Sequence, residues 1–267
     1  MAENKWLRLA AQSWKLLCQH RWLVVGSVLA DLLFLFLLGL ITTPLHELLV
    51  TQIINIGAAL SHTAYVAGSL LQQALLPEAR PFFNRAVLFW VSNLVITYFL
   101  YAILQGSAWF FCARIARSNK SWRQYVRRFA LMNLFWLCVY ALLQLADLFF
   151  SLQHKFLTLT TQTSITNVPA LLLGVISFIL GIIAAFSYAV TTLSGGLRVS
   201  LDAHRSIPLL IILSILGLNA DALLSVVAKI HPVLLIVVGV IVFLPLLTLA
   251  RVYIILLTQL DNVGSQP

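Results

Sequence analysis

Long apolar stretches alternate with short polar and charged segments along this 267-residue chain. Six of these stretches reach the roughly 20 mainly apolar residues that a membrane-spanning helix needs. A membrane β-barrel would instead alternate polar and apolar positions, which these runs do not. The pattern predicts an all-α, polytopic bundle forming one membrane domain over residues 1–267, with spans at Trp22–Thr43, Val87–Cys112, Ala130–Phe150, Pro169–Leu193, Ile207–Val227 and Val233–Gln259.

Composition and charge distribution agree with this prediction. The chain is 61% hydrophobic and 9% charged, with a mean hydropathy of +0.98, whereas soluble domains carry about 25% charged residues. The net charge of +9 could suggest nucleic acid. However, 13 of the 17 basic residues fall on one side of the predicted topology, and only Arg80, Arg85, Lys155 and Lys229 fall on the other. Because cytoplasmic loops hold the excess of Lys and Arg, we expect a multi-pass cell-membrane protein with both termini cytoplasmic, bound to anionic lipids rather than nucleic acid.

The connection between the first two predicted spans, residues 44–86, admits two interpretations. Its apolar middle could form a seventh span, but Gln52, Asn55 and His62 lie in its centre. A seventh span would also place the basic residues from Arg114 to Arg128 outside, against the positive-inside rule. We therefore expect an outer helix or helical hairpin that lies on the membrane.

Three basic amphipathic segments are predicted on the inner side, at residues 1–21, 113–129 and 194–206. The first two share a Ser-Trp-basic sequence, Ser13-Trp14-Lys15 and Ser121-Trp122-Arg123, at a similar distance before a span. A basic helix with aromatic residues on its apolar side suits the headgroup layer, although any multi-span protein has Lys, Arg and Trp at its inner boundary. The candidate lipid-facing residues are Lys15, Arg21, Arg123, Arg127, Arg128, Arg198 and Arg205.

Asp31 and Arg251 are charged residues inside predicted spans. At about 1.5 Å per residue, Asp31 lies roughly 13 Å and Arg251 about 12 Å from the inner end of its span, so the two side chains can meet. A carboxylate at that depth needs a partner, a proton or water. The pair could couple transport to a proton or another ion. Alternatively, it could be a buried ion pair that fixes helix register, or Asp31 could stay protonated.

Other residues within the spans are predicted to pack helices together. Small residues at helical spacing, Gly174, Ser177, Gly181 and Ala185, form a face on the fourth span that would let another helix approach closely. Four neutral polar residues are interpreted as hydrogen bonding across helices: Asn93, Gln105, Asn133 and Gln144. Pro245 should kink the last span and free a carbonyl near Ile241.

The chain shows no nucleophile elbow, phosphate-binding loop or metal-ligand spacing. We therefore expect a non-enzyme with no metal and no cofactor. The Ser-Trp-basic segments and the span pattern resemble poorly characterised prokaryotic six-span families, which include the membrane domain preceding some glycerophosphodiester phosphodiesterases. This resemblance implies a multi-span membrane domain and transfers no catalytic residue.

Two functional hypotheses follow from these observations. The first is a non-catalytic scaffold or accessory subunit that binds lipid, a partner membrane protein or a second copy of itself. The second is a proton- or ion-coupled secondary transporter centred on Asp31 and Arg251. Transporters usually show more polarity at the membrane midplane and broken helices in corresponding repeats, so the first hypothesis is favoured.

Overall fold

The computed structural model describes residues 3–61, 77, 79–161, 168–191, 195 and 237–264. Every element in these ranges is helical. The elements are α1 (Glu3–Gln19), α2 (Arg21–Ser61), α3 (Arg80–Leu100), a π-helical turn (Tyr101–Gln105), α4 (Gly106–Ile115), α5 (Trp122–Thr161), α6 (Val168–Val190), a second π-helical turn (Gly239–Phe243) and α7 (Leu244–Gly264).

Five helical stretches in the described ranges are long and apolar enough to cross a membrane. They overlap five of the six predicted spans, so the structure has the helical membrane architecture that the sequence indicates. The remaining prediction, Ile207–Val227, lies outside the described residues. The five stretches are Arg21–Ile56, Arg80–Ile115, Trp122–Asp147, Leu171–Val190 and Gly239–Gln259.

The first long helix does not end where the sequence placed the end of the first span. α2 continues through Pro44 to Ser61 for 41 residues, about 60 Å at 1.5 Å per residue. Residues 44–61 of the predicted outer segment therefore extend the helix of the first span, and residues 80–86 already belong to α3. Proline removes one backbone hydrogen bond, whereas the turns on both sides of Pro44 keep theirs, so the helix is not interrupted.

The three segments predicted on the inner side differ from one another. α1 covers residues 3–19 of the segment predicted at 1–21, and a one-residue break at His20 separates it from α2. The segment at 113–129 is not a single helix, because α4 ends at Ile115 and α5 begins at Trp122. Arg117, with a φ of 64°, ends α4 in the left-handed conformation, and the Ser118 N–H donates to the Ala113 carbonyl at 2.9 Å. Apart from Gly195, the third segment lies outside the described residues.

Two helices depart from α geometry. The turn Tyr101–Gln105 joins α3 to α4 without a break, and Gly239–Phe243 precedes Pro245. In the second turn the Leu244 N–H donates to the carbonyl of Gly239, five residues earlier. This widened turn includes Ile241, and the kink expected at Pro245 stays a prediction. Such π-bulges are rare in helices and frequent at functional sites.

The chain divides into two compact units, Met1–Leu32 with Ala102–Pro267, and Leu33–Tyr101. In the first unit α7 is the central helix, packed by α1, α4 and α6. Eight consecutive residues, from Arg251 to Thr258, are buried, which requires neighbours on every side of the helix. In the second unit Phe34 contacts Tyr101 edge-to-face, with the ring centroids 5.6 Å apart.

Candidate functional site

Asp31, Gln105 and Arg251 meet in the interior of the first unit and form a closed triad. Arg251 donates from Nη1 to Asp31 Oδ2 at 2.6 Å and from Nη2 to Asp31 Oδ1 at 2.9 Å. Gln105 completes the ring, because its Nε2 donates to Asp31 Oδ1 at 2.9 Å and its Oε1 accepts from Arg251 Nη2 at 2.7 Å. Asp31 is 1% exposed and Arg251 is 4% exposed. The predicted contact between Asp31 and Arg251 is thus present as a bidentate ion pair.

A second polar layer lies beside the triad on the same three helical stretches. Ser27 lies four residues before Asp31, and Thr248 lies three residues before Arg251. Each therefore shares a helix face with a triad member. Thr248 Oγ1 lies 3.2 Å from Ser27 Oγ and 3.1 Å from the Leu244 carbonyl. Ser27 Oγ is also 3.6 Å from the sulfur of Cys112, which is seven residues after Gln105.

These contacts make the interface of α2, α4 and α7 polar over about two helical turns. Sequence reasoning found Asp31 and Arg251 but not Ser27, Cys112 or Thr248, and it interpreted Gln105 only as a packing residue. Helical spacing from the two charged residues could have identified Ser27 and Thr248, since residues at i−3 and i−4 share a helix face with residue i. The π-helical turn that ends at Gln105 shifts the register between α3 and α4, which no sequence period indicates.

An aromatic layer connects the triad to α5 and α6. The Arg251 guanidinium carbon lies 5.7 Å from the ring centroid of Trp109, a cation–π distance. Trp109 is 6.0 Å from Tyr188, which stacks on Phe129 at 4.4 Å. The Tyr188 hydroxyl donates to Asn133 Oδ1 at 2.9 Å, so Asn133 hydrogen bonds across helices as predicted.

The other neutral polar residues behave differently from Asn133. Gln144 donates to Tyr140 at 2.6 Å, one turn earlier on the same helix, instead of to a neighbouring helix. Asn93 Oδ1 is buried without a hydrogen-bond partner in the part of the chain that the structure describes. Neither residue therefore makes the contact across helices that the sequence suggested.

Two polar contacts also join the ends of helices in the first unit. Lys120, in the turn before α5, donates from Nζ to Thr191 Oγ1 at 2.9 Å at the end of α6. Gln259 of α7 donates to the Ala116 carbonyl at 3.3 Å, just after α4. Burial, and secondarily the nearby Arg128, lowers the pKa of Lys120 below its ordinary value.

The predicted lipid-facing basic residues are solvent-accessible wherever the structure describes them. The exposed ones are Lys15, Arg21, Arg123, Arg127 and Arg128, while Arg198 and Arg205 lie outside the described residues. On the predicted packing face of α6, Gly174, Ser177 and Gly181 are exposed and Ala185 is half-buried. No described heavy atom lies within 4 Å of a Cβ built at Gly174 or Gly181. At Gly174 and Gly181 the face therefore contacts none of the described helices.

Within the described ranges no three His, Cys, Asp or Glu side chains come together as a metal site would require. Comparison of the chain with protein-family models, with curated proteins and with solved structures finds no match. The resemblance carried by the Ser-Trp-basic segments stays a prediction.

Proposed function

We propose that this protein is a non-catalytic membrane scaffold or accessory subunit that binds lipid, a partner membrane protein or a second copy of itself. The observation that carries the proposal is that the Asp31 carboxylate is fully engaged by its two neighbours. Both carboxylate oxygens of Asp31 are used by Arg251 and Gln105, and both charged residues are buried. A buried triad of this kind is suited to holding the three helical stretches that carry it in register.

The outer surface of the helices supports an interaction role. In the last span, half of the most apolar stretch is buried. The buried share of the corresponding stretch is 6% in Arg80–Ile115 and 28% in Leu171–Val190. Most of the apolar surface outside α7 is therefore available to lipid or to another protein. On α6 that surface includes the small residues Gly174, Ser177 and Gly181, and small residues let membrane helices approach closely.

A double substitution on α6 tests this proposal. Gly174→Leu with Gly181→Leu adds bulk to the small-residue face, and Val175→Leu, at an exposed position of the same helix, serves as the control. We expect native mass spectrometry of protein extracted in mild detergent to show a stoichiometric partner or a fixed oligomer for the wild type and the control. The double variant should lose that partner or oligomer without a fall in unfolding temperature. A monomer without partners in all three preparations would contradict the proposal, and a lower unfolding temperature would show that this face packs within the chain.

A secondary transporter is the second candidate, favoured by the two π-helical turns. One turn ends at Gln105, in the triad, and the other lies in the helix that carries Arg251. Irregular turns beside buried charges occur where transporter helices rearrange. Flux across proteoliposomes tests this candidate, because Asp31→Asn should abolish a coupled flux while leaving assembly intact. Loss of folding in the same variant would favour the structural ion pair.

A further inference from the structure

The N-terminal helix α1 carries three distinct faces. One face is buried against the first unit and consists of Leu9, Ser13, Leu16 and Leu17. A second face is polar and exposed, with Arg8, Gln12, Lys15 and Gln19. The third face is apolar yet exposed, with Ala10, Ala11, Trp14 and Cys18. An amphipathic helix that only packs on a protein needs two faces, so the third face requires another partner.

The buried face fixes where α1 lies. α1 packs against α7, whose Arg251–Thr258 segment is buried on all sides. α1 is also joined to the first span through one residue: the His20 N–H donates to the Leu16 carbonyl, and its carbonyl accepts from Val24. α1 therefore lies at the membrane boundary where the apolar part of α2 begins.

The charge beside the exposed apolar face indicates which partner covers it. Between Arg8 and Arg21 the sequence contains no acidic residue. Lys15 and Arg21 are both exposed, and Arg21 Nε donates to the Cys18 carbonyl at 3.3 Å. Trp14 is 60% exposed and Trp22 is 86% exposed. Tryptophan prefers the headgroup level of a bilayer, and a cationic strip next to it attracts anionic headgroups.

We infer that α1 is a binding site for anionic phospholipid, in which the strip Ala10, Ala11, Trp14 and Cys18 enters the headgroup–acyl boundary and Arg8, Lys15 and Arg21 bind the phosphates. This inference rests on the proposed function, since it names the lipid class and the surface that binds it. The bound lipid covers the side of α1 opposite α7, so α1 is held between the bilayer and the central helix of the first unit.

Retention of lipid tests the cationic strip. Arg8→Ala with Lys15→Ala removes two charges beside the apolar strip, and Arg80→Ala with Arg85→Ala removes two exposed charges from α3 as the matched control. A basic residue near the membrane contributes about fivefold to anionic-lipid binding. We expect the first variant to retain about 25-fold less phosphatidylglycerol in native mass spectrometry, and the control to retain as much as the wild type. Equal retention in both variants would overturn the inference.

A fluorescent probe tests the apolar strip. In the Cys138→Ser background, an environment-sensitive maleimide attached to exposed Cys18 reports on the strip, because Cys112 is fully buried. The control places the probe on the polar face as Gln12→Cys, with Cys18→Ser. In nanodiscs containing 30% phosphatidylglycerol we expect a blue shift and less quenching by aqueous iodide at position 18 than in pure phosphatidylcholine. Position 12 should show no difference.

The probe also separates lipid from a protein partner. If Cys18 is protected in native membranes but accessible in nanodiscs of either composition, a protein covers the strip and the inference is wrong. The scaffold proposal would survive that outcome. If Cys18 is shielded in anionic nanodiscs while no partner or oligomer is found, the lipid site stands and the assembly role fails.

Discussion

At the residue scale, the Asp31–Arg251 contact is the part of the site that the sequence identified. Depth alone indicated it, because both residues lie about 12 to 13 Å from the inner ends of their spans. The third member, Gln105, could not be singled out from Asn93, Asn133 and Gln144. All four are neutral polar residues in spans, and only the packing of helices decides which of them reaches a charge.

The triad predicts a specific pattern of stability. We expect Asp31→Asn to lower the free energy of unfolding by roughly 3 kcal/mol, because it leaves the Arg251 charge buried without its counter-ion. The double variant Asp31→Leu with Arg251→Met should recover more than half of that loss, since apolar residues of similar volume replace buried ion pairs at little cost. Denaturant unfolding in detergent micelles measures both. A double variant no more stable than Asp31→Asn would contradict this expectation.

At the element scale, the structure differs from the sequence prediction where a local signal was overruled. Pro44 is a usual helix terminator, yet α2 passes through it. Membrane helices tolerate an interior proline because neighbouring groups and local adjustment satisfy the freed backbone carbonyl. The amphipathic segment predicted at 113–129 is divided between two helices by the αL conformation of Arg117. Contact with α7 divides the apolar residues of α1 into a buried and an exposed face.

Substitution by alanine should have opposite effects on stability at Gly106 of α4 and at Gly174 of α6. A Cβ at Gly106 would lie 3.1 Å from Phe129 Cδ1, whereas nothing described lies within 4 Å of one at Gly174. We expect Gly106→Ala to destabilise the protein by about 1–3 kcal/mol through overpacking. Gly174→Ala should instead be neutral or stabilising by up to about 1 kcal/mol, because alanine favours the helix. Unfolding temperatures of the two variants in one detergent provide the comparison, and an equal effect would contradict the packing of α4 on α5.

At the scale of the whole molecule, the polar site belongs entirely to one of the two compact units. Asp31 lies at the edge of Met1–Leu32, while Gln105 and Arg251 belong to Ala102–Pro267. The unit boundaries lie one residue after Asp31 inside α2, and at the π-helical turn. Residues separated by 220 positions in the chain thus form one site, which makes its assembly dependent on the fold of the complete first unit.

The charge asymmetry of the whole chain predicts its orientation. With both termini cytoplasmic, a cysteine introduced at Lys15 should be protected from a membrane-impermeant maleimide in intact cells, and one introduced at Glu47 should react. Both positions are exposed, so burial does not bias the comparison. Permeabilised cells, in which both variants should react, provide the control. Reaction at Lys15 but not at Glu47 in intact cells would reverse the orientation.

The sequence by itself determined the helical membrane architecture, the approximate positions of the five candidate spans within the described residues, and the Asp31–Arg251 contact. These features follow from local quantities, namely the length of an apolar run and the depth of a charge within it. Only the tertiary structure decided that Gln105, Ser27 and Thr248 surround that pair, that α2 continues past Pro44, and that α1 leaves Trp14 uncovered. Each of these depends on which faces meet between helices distant in sequence, and a residue's own neighbours in the chain carry no record of that.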